Sequence, residues 1–291
     1  MQTIDERARV GRFVGQREVR ITSELVQHYG EAVEDDNSWY KETSPWGGAV
    51  APALLLHSEV YRDLTWYLPR LYGNLHARQE WELFQPMLVG EDVITRSVVI
   101  DRYLKRDRDY IVNEVSCFAP DGRLLSRGRT HQSFLVDAAT GVVVDKQREK
   151  RSDRRFEVEP EASLEQISGP EKTISVEMCR QFSGPQVNYH NDVEAAKKLG
   201  FPDIVVQGMM PLCFLSEMMT RRFGEGWYCG GRMNVNLVNV VWGSDRVTCR
   251  GVVTELSAEG PRQRAHLQVW CEKADGTKVV VGTASACVTR E

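Results

Sequence analysis

The chain has 291 residues, with 37 lysines and arginines against 41 aspartates and glutamates, a formal net charge of −4 at pH 7. That balance offers no broad basic field to a nucleic-acid backbone or an anionic membrane surface, and acids interrupt the two basic runs at 102–108 and 146–155. The length suits two domains of about 140 residues, each able to bury its own core. Nowhere do about 18 apolar residues run uninterrupted, and the opening residues lack the apolar centre of a signal peptide. Seven cysteines, at 117, 179, 213, 229, 249, 271 and 287, make an odd number with no C-x-x-C pair. They read as buried thiols of a reducing compartment, so a cytoplasmic protein is expected.

In chain order, residues 49–68 (AVAPALLLHSEVYRDLTWYL) are apolar almost all round in their opening turns and predict a long helix covered on several sides. Alternating β-branched strands follow at 89–103 and 110–136, the latter broken by an Asp-Gly turn at Asp121. Segment 137–170 is charged and aperiodic and reads as a crossing between halves. The expected boundaries are 1–140 for a first domain, 141–168 for the linker and 169–291 for a second domain. Residues 205–223 then repeat the apolar helix, and strands at 242–256 and 265–288 repeat the earlier pair, again with an Asp-Gly turn at Asp275. Matching the halves pairs Gly90 with Gly243, Asp121 with Asp275 and Ala51 with Gln207 at a nearly constant separation, the mark of a duplication. Each half predicts an opening strand, a small helical region, one buried helix and about four antiparallel strands. The class is α+β, a tandem hot-dog in which each antiparallel sheet wraps a central helix.

The chemistry-bearing segment is 182–210. It reads Phe182-Ser183-Gly184-Pro185-Gln186-Val187-Asn188-Tyr189-His190-Asn191-Asp192, then Ala195 and Ala196, Gly200-Phe201-Pro202-Asp203-Ile204 and Gln207-Gly208. It resembles the signature of the MaoC-like, hydratase 2 branch of the hot-dog superfamily. That signature runs aromatic-Ser-Gly-Asp-x-Asn-Pro-aliphatic-His-x-Asp, then Ala, Gly-Phe-x-x-x-Ile and His-Gly. The resemblance implies addition or removal of water at an enoyl or 3-hydroxyacyl thioester, with His190 as acid/base and the Gly208 N–H as donor to the thioester oxygen. The chain departs from the signature at its catalytic Asp, where Pro185 stands, and at its Asn, where Val187 stands. Asn188, one residue displaced, is the candidate polar partner of the water or of His190, though an amide cannot replace a carboxylate as base. Asp192 is expected to cap the helix that ends near Gly200. In the first half, AVEDDNSWY (32–40) aligns so that Asp35 and Asn37 keep the Asp and Asn positions while Tyr40 replaces the His.

Gln207, Met209, Tyr189, Trp39 and Asp35 are the expected substrate-binding residues. Aromatic residues, among them Trp46, Trp66, Tyr67 and Trp81, suit either core packing or a bulky acyl group. No cofactor is expected beyond coenzyme A or phosphopantetheine as part of the substrate, and no metal, because no metal-ligating cluster occurs. The expected partners are an acyl thioester and a second hot-dog chain, in a homodimer or a heteromer, with no nucleic acid and no membrane. The competing readings are a non-catalytic acyl-binding or partner subunit, and a dehydratase or cyclase acting on a natural-product intermediate. A thioesterase is a weaker fit, since Glu59 and Glu217 lie deep within the predicted helices.

Overall fold

The computed structural model describes residues 8–64, 74–105, 108–135 and 164–288, apart from the side chains of Asp63 and Leu135. The first half runs β1 (Phe13–Arg20), α1 (Ser23–Val33), a 3₁₀ turn (Ser38–Tyr40), α2 (Glu59–Asp63), β2 (Leu75–Leu83), β3 (Asp92–Lys105), β4 (Arg108–Phe118) and β5 (Leu124–Leu135). The second runs β6 (Glu165–Thr173), α3 (Val176–Ser183), α4 (Val193–Lys198), α5 (Met209–Phe223), α6 (Glu225–Tyr228), β7 (Arg232–Leu237), β8 (Arg246–Glu259), β9 (Arg262–Lys273) and β10 (Lys278–Val288).

All ten strands form one antiparallel sheet in the order β1-β3-β4-β5-β2-β7-β10-β9-β8-β6, which is the same five-strand order written twice, head to head. The halves join through β2 and β7, where Arg78 pairs with Asn236 and Glu82 with Arg232, so Glu80 and Asn234 face each other at a pseudo-twofold centre. Arg78 adds a hydrogen bond to Asn234 Oδ1 at 2.8 Å. Antiparallel pairing satisfies the backbone groups that each half would otherwise expose on an edge strand.

The duplication sharpens one alignment. Gly90 turns with φ +94°, and the residue in the left-handed region of the second half is Ser244, at φ +77°, not Gly243. The Gly90 N–H binds the Ile21 carbonyl as the Ser244 N–H binds that of Ile174. The isolated bridges Val50–Leu88 and Val205–Trp242 are likewise equivalent. They set Ala51 against Val206 rather than Gln207, and Ala53 against Gly208.

Helix α5 fills the second half. Its residues from Met209 to Thr220 are all buried, as is Phe223. Each large apolar side chain withdrawn from water there contributes roughly 1.5–3 kcal/mol, and β6, β8, β9 and β10 supply the cover. The first half departs from the expected long helix. Residues 52–58 form successive tight turns, with Leu55 N–H to Pro52 O at 2.9 Å and His57 N–H to Leu54 O at 3.0 Å, and among the described residues of that segment only Glu59–Asp63 is α-helical. Leu54, Leu55 and Leu56 are buried in these i→i+3 turns as they would be in a helix, which is why the apolar pattern does not distinguish the two. Trp66 and Tyr67 lie outside the described residues, as do 141–163 of the expected linker and the basic run at 146–155. The rest of that linker is corrected, because β6 begins at Glu165 and pairs with Val253.

The cysteine reading also changes. Cys249 and Cys271 stand directly opposite each other on β8 and β9, with Cα atoms 4.2 Å apart, and are joined as a disulfide. Cys117, Cys179, Cys213, Cys229 and Cys287 are free. No helix among the described residues is long and apolar enough to cross a membrane.

Trp81, buried on β2 at the seam, lays its ring so close to Gly128 that an added Cβ there would come 2.5 Å from it. Replacing Trp81 by Ala is expected to remove about 3–5 kcal/mol of stability. A chemical-denaturation series measures it, and an unchanged midpoint would show that the ring is not part of the seam packing.

Candidate functional site

The loop between α3 and α4 is built around two asparagines. Asn188 Nδ2 donates to the carbonyls of Ser183 and Gln186, both at 2.9 Å, and its Oδ1 accepts the His190 N–H at 2.8 Å. Asn191 Oδ1 accepts the Asn188 N–H at 2.9 Å, and its Nδ2 donates to the same two carbonyls. Both amides are therefore spent on folding the loop. Asn188 braces His190 from the backbone side and does not reach its ring. Asp192 caps α4 as expected, accepting the Ala195 N–H at 2.7 Å, and Gly200 follows that helix at φ +85°. Pro185 and Val187, in the signature's Asp and Asn positions, are exposed.

His190 is half-buried, and its Nδ1 lies 2.7 Å from the Val205 carbonyl. A carbonyl only accepts, so Nδ1 carries the proton and Nε2 keeps its lone pair. Tyr189 covers the ring at a centroid distance of 3.9 Å and leans in turn on Phe201. Burial pulls the imidazole pKa down to about 4, against a smaller upward pull from the Val205 carbonyl. The side chain is a neutral base at pH 7.

Val205 leads in three residues to Gly208, the N-cap of α5, where no side chain caps the helix. The first N–H groups of a helix lack intrahelical partners and stand at the positive end of its dipole, so this terminus favours a developing negative oxygen. A methyl group on Gly208 would lie 2.6 Å from Leu237 Cδ2 and 3.2 Å from His76 Nδ1, so the close approach itself requires glycine. Gln207 is half-buried beside it, with its Oε1 buried and without a hydrogen-bond partner. Met209 is fully buried in the core.

Asp35 and Trp39, expected beside the same substrate, are elsewhere. Asp35 accepts the Tyr40 hydroxyl at 2.7 Å, and its pKa is raised by burial, a shift that this hydrogen bond opposes. Trp39 approaches Gly224, beyond the far end of α5. Asp35 borders a cavity of about 720 Å³ lined also by Tyr40, Lys172 and Arg221. Lys172 is buried and reaches both the Glu34 carbonyl, at 2.6 Å, and the Glu217 carboxylate, at 3.0 Å. Glu217 is nine residues beyond Gly208, about 13 Å along a helix rising 1.5 Å per residue. His190 does not line this cavity. The halves' surviving motif residues occupy opposite ends of α5, which removes Asp35 as a partner of His190.

Burial lowers the pKa of four histidines, His57 to about 3, His76 and His190 to about 4, and His131 in the same direction, against an ordinary value of 6.5. Their folded pKa values lie below the unfolded ones, so the unfolded chain binds more protons between about pH 6.5 and 4. The contribution present above pH 6.5 is lost as pH falls through that window. Denaturant midpoints measured from pH 7 to pH 4.5 should decline, and less steeply in His57→Phe, where one of these groups no longer titrates. An equally steep decline in that variant would show that His57 is not among the groups responsible.

No protein-family profile matches the chain, and no curated protein does. Solved structures do. A protein named MaoC-like dehydratase superposes with a TM-score of 0.75 at 16% identity, covering 99% of this chain and 100% of that one. A MaoC-like dehydratase from Phytophthora capsici gives 0.71 at 14% identity over 99% and 98%. A Mycobacterium tuberculosis protein described as having a double hotdog fold gives 0.63 at 13% identity over 96% of each. The head-to-head sheet and the wrapped α5 thus have known counterparts, and the chain is a double hot-dog protein whose structural neighbours are named MaoC-like dehydratases.

Proposed function

We propose that this protein is a MaoC-like hydro-lyase that adds water to an enoyl thioester or removes it from a 3-hydroxyacyl thioester at the start of α5. The observation that carries this reading is the tethering of His190. Its Nδ1–H is fixed on Val205 O at 2.7 Å, which leaves Nε2 as a base on the segment that leads to Gly208. In the hydration direction the water oxygen bonds to C3 while its proton passes to His190 Nε2. The π electrons move onto the thioester oxygen, and the Gly208 N–H and the positive end of α5 stabilise that oxygen. The carbonyl reforms as C2 takes a proton. Tyr189, held by Phe201, keeps the imidazole oriented, and Asn188 acts as the brace of the loop. Coenzyme A or a carrier-protein phosphopantetheine arm enters as part of the substrate.

One observation favours a second reading, a non-catalytic acyl-binding subunit that supports an active homologue. The signature's carboxylate is replaced by the exposed Pro185, and no carboxylate is bonded to His190 among the described residues. Turnover separates the two. Against a panel of short, medium and branched enoyl-CoA and 3-hydroxyacyl-CoA thioesters, the protein is expected to produce a mass change of one water. His190→Gln should lower kcat by about 10²–10⁴ while the fold, followed by circular dichroism, is kept. Equal rates in the two proteins would defeat the assignment of His190, and no product from any thioester would favour the binding subunit.

A further inference from the structure

We infer that His76, supplied by the first half, is a second acid/base residue of this site and exchanges the proton at C2 of the acyl chain. The inference rests on the hydro-lyase reading above. It arises from the seam, because His76 on β2 of the first half stands beside Gly208 at the start of α5 in the second. His76 Nδ1 would lie 3.2 Å from a Cβ on Gly208, so its imidazole borders the place where the thioester carbonyl would meet the helix. C2 is bonded to that carbonyl carbon, whereas the water at C3 belongs to His190.

The ring is held as a positioned proton carrier would be. Gln79 Oε1 lies 3.0 Å from His76 Nε2 and also accepts the Thr130 hydroxyl at 2.9 Å, while Gln79 Nε2 donates to the Glu80 carbonyl at 3.1 Å. Those bonds orient the amide with its oxygen toward the imidazole, so His76 Nε2 is protonated and Nδ1 presents a lone pair. The Tyr61 hydroxyl stands 3.3 Å from Nδ1. Gln79 and Thr130 are both buried, whereas His76 is half-buried and keeps an open edge.

The pseudo-twofold axis provides an internal control. Through the pairing centred on Glu80 and Asn234, and allowing for the extra residue that β2 carries between His76 and Arg78, the residue equivalent to His76 is Gly231, and the equivalent of Gly208 is Ala53. A histidine therefore faces a glycine-opened helix start only in the half that keeps His190. The other half has glycine in place of the imidazole and alanine at the helix start.

In the hydration direction, His190 Nε2 accepts the proton of the attacking water as oxygen bonds to C3, and the enolate forms at the thioester oxygen. His76 Nδ1 takes up a proton from solvent and passes it to C2, so the C2–H bond forms, the carbonyl is restored and His76 returns to neutral. His190 releases its proton to solvent in exchange for the one that His76 took up, so the net change is one water added. In the dehydration direction neutral His76 removes the C2 proton and releases it to solvent, while His190 Nε2 takes up a proton from solvent and hands it to the departing hydroxyl.

The test measures exchange of the C2 hydrogens of a saturated acyl-CoA with D₂O, beside hydration of the matching enoyl-CoA. His76→Gln is expected to lose about 100-fold in both rates with KM changed less than about threefold, the range ascribed to an acid/base group rather than a binding contact. His190→Gln should lose hydration yet retain C2 exchange. C2 exchange that persists undiminished in His76→Gln, with hydration by the unaltered protein intact, would overturn the role of His76 and leave the hydro-lyase reading standing. Absence of hydration by the unaltered protein would overturn both. Should His76→Gln fail to fold, diethyl pyrocarbonate labelling of the unaltered protein decides. Saturating acyl-CoA should slow modification of His76, mapped by mass spectrometry, and an unprotected His76 would overturn the proposal.

Discussion

Helix α5 is apolar around nearly its whole circumference, and such a helix exists in water only if other structure encloses it. From that constraint follow the curled sheet, the packing of β6, β8, β9 and β10 on its sides, and the chemical value of its one open end. An enclosed helix directs its uncompensated N–H groups at a single place. Gly208 lets Leu237 and His76 pack close against that place, since any side chain would collide with them.

The second constraint is the seam. A hot-dog half ends in an edge strand, and pairing β2 with β7 turns two liabilities into one continuous sheet. The seam also carries residues of one half to the helix of the other. His57 stacks on Phe182 at 4.6 Å, and His28 Nε2 meets the Gln181 carbonyl at 3.0 Å, so the first half braces α3 ahead of the signature loop. Duplication thus let the halves diverge. One retains the His-bearing loop, and the other retains Asp35 beside a separate cavity with the buried Lys172–Glu217 pair. That pair is costly to bury unless each charge has a partner, and its position far down α5 from Gly208 fits a structural fixture of the seam's opposite side.

Much of this was legible from residues alone, for physical reasons that differ from element to element. The alternating strands and the Asp-Gly turns are local signals, and Asp192 caps α4 because a carboxylate ahead of VEAAKK has its acceptor in reach of a free N–H. The equivalence of Gly90 with Ser244 is hidden in the sequence because Ser244 adopts a conformation that residue type ascribes to glycine. The apolar run after Ala51 has a helix's composition because burial dictates it, and the same residues are buried in tight i→i+3 turns. The residue type of Asn188 suits a partner of the water or of His190, and it does accept the His190 N–H, whereas the loop's own carbonyls claim its amide nitrogen. His76 carried no signal at all. Its proximity to Gly208 is created by strand pairing between halves, and nothing in LHARQEWEL records which helix start the residue will stand beside.

The account places the acyl thioester at the start of α5 rather than in the cavity beside Asp35. A crystal structure of the protein with a non-reactive thioether analogue of an enoyl-CoA, carrying its carbonyl one atom from the sulfur, tests that most directly. The account predicts the analogue's carbonyl oxygen within hydrogen-bonding distance of the Gly208 N–H, with the acyl chain between His190 and His76. An analogue seated against Asp35, Lys172 and Arg221, with the Gly208 N–H facing solvent, would contradict it.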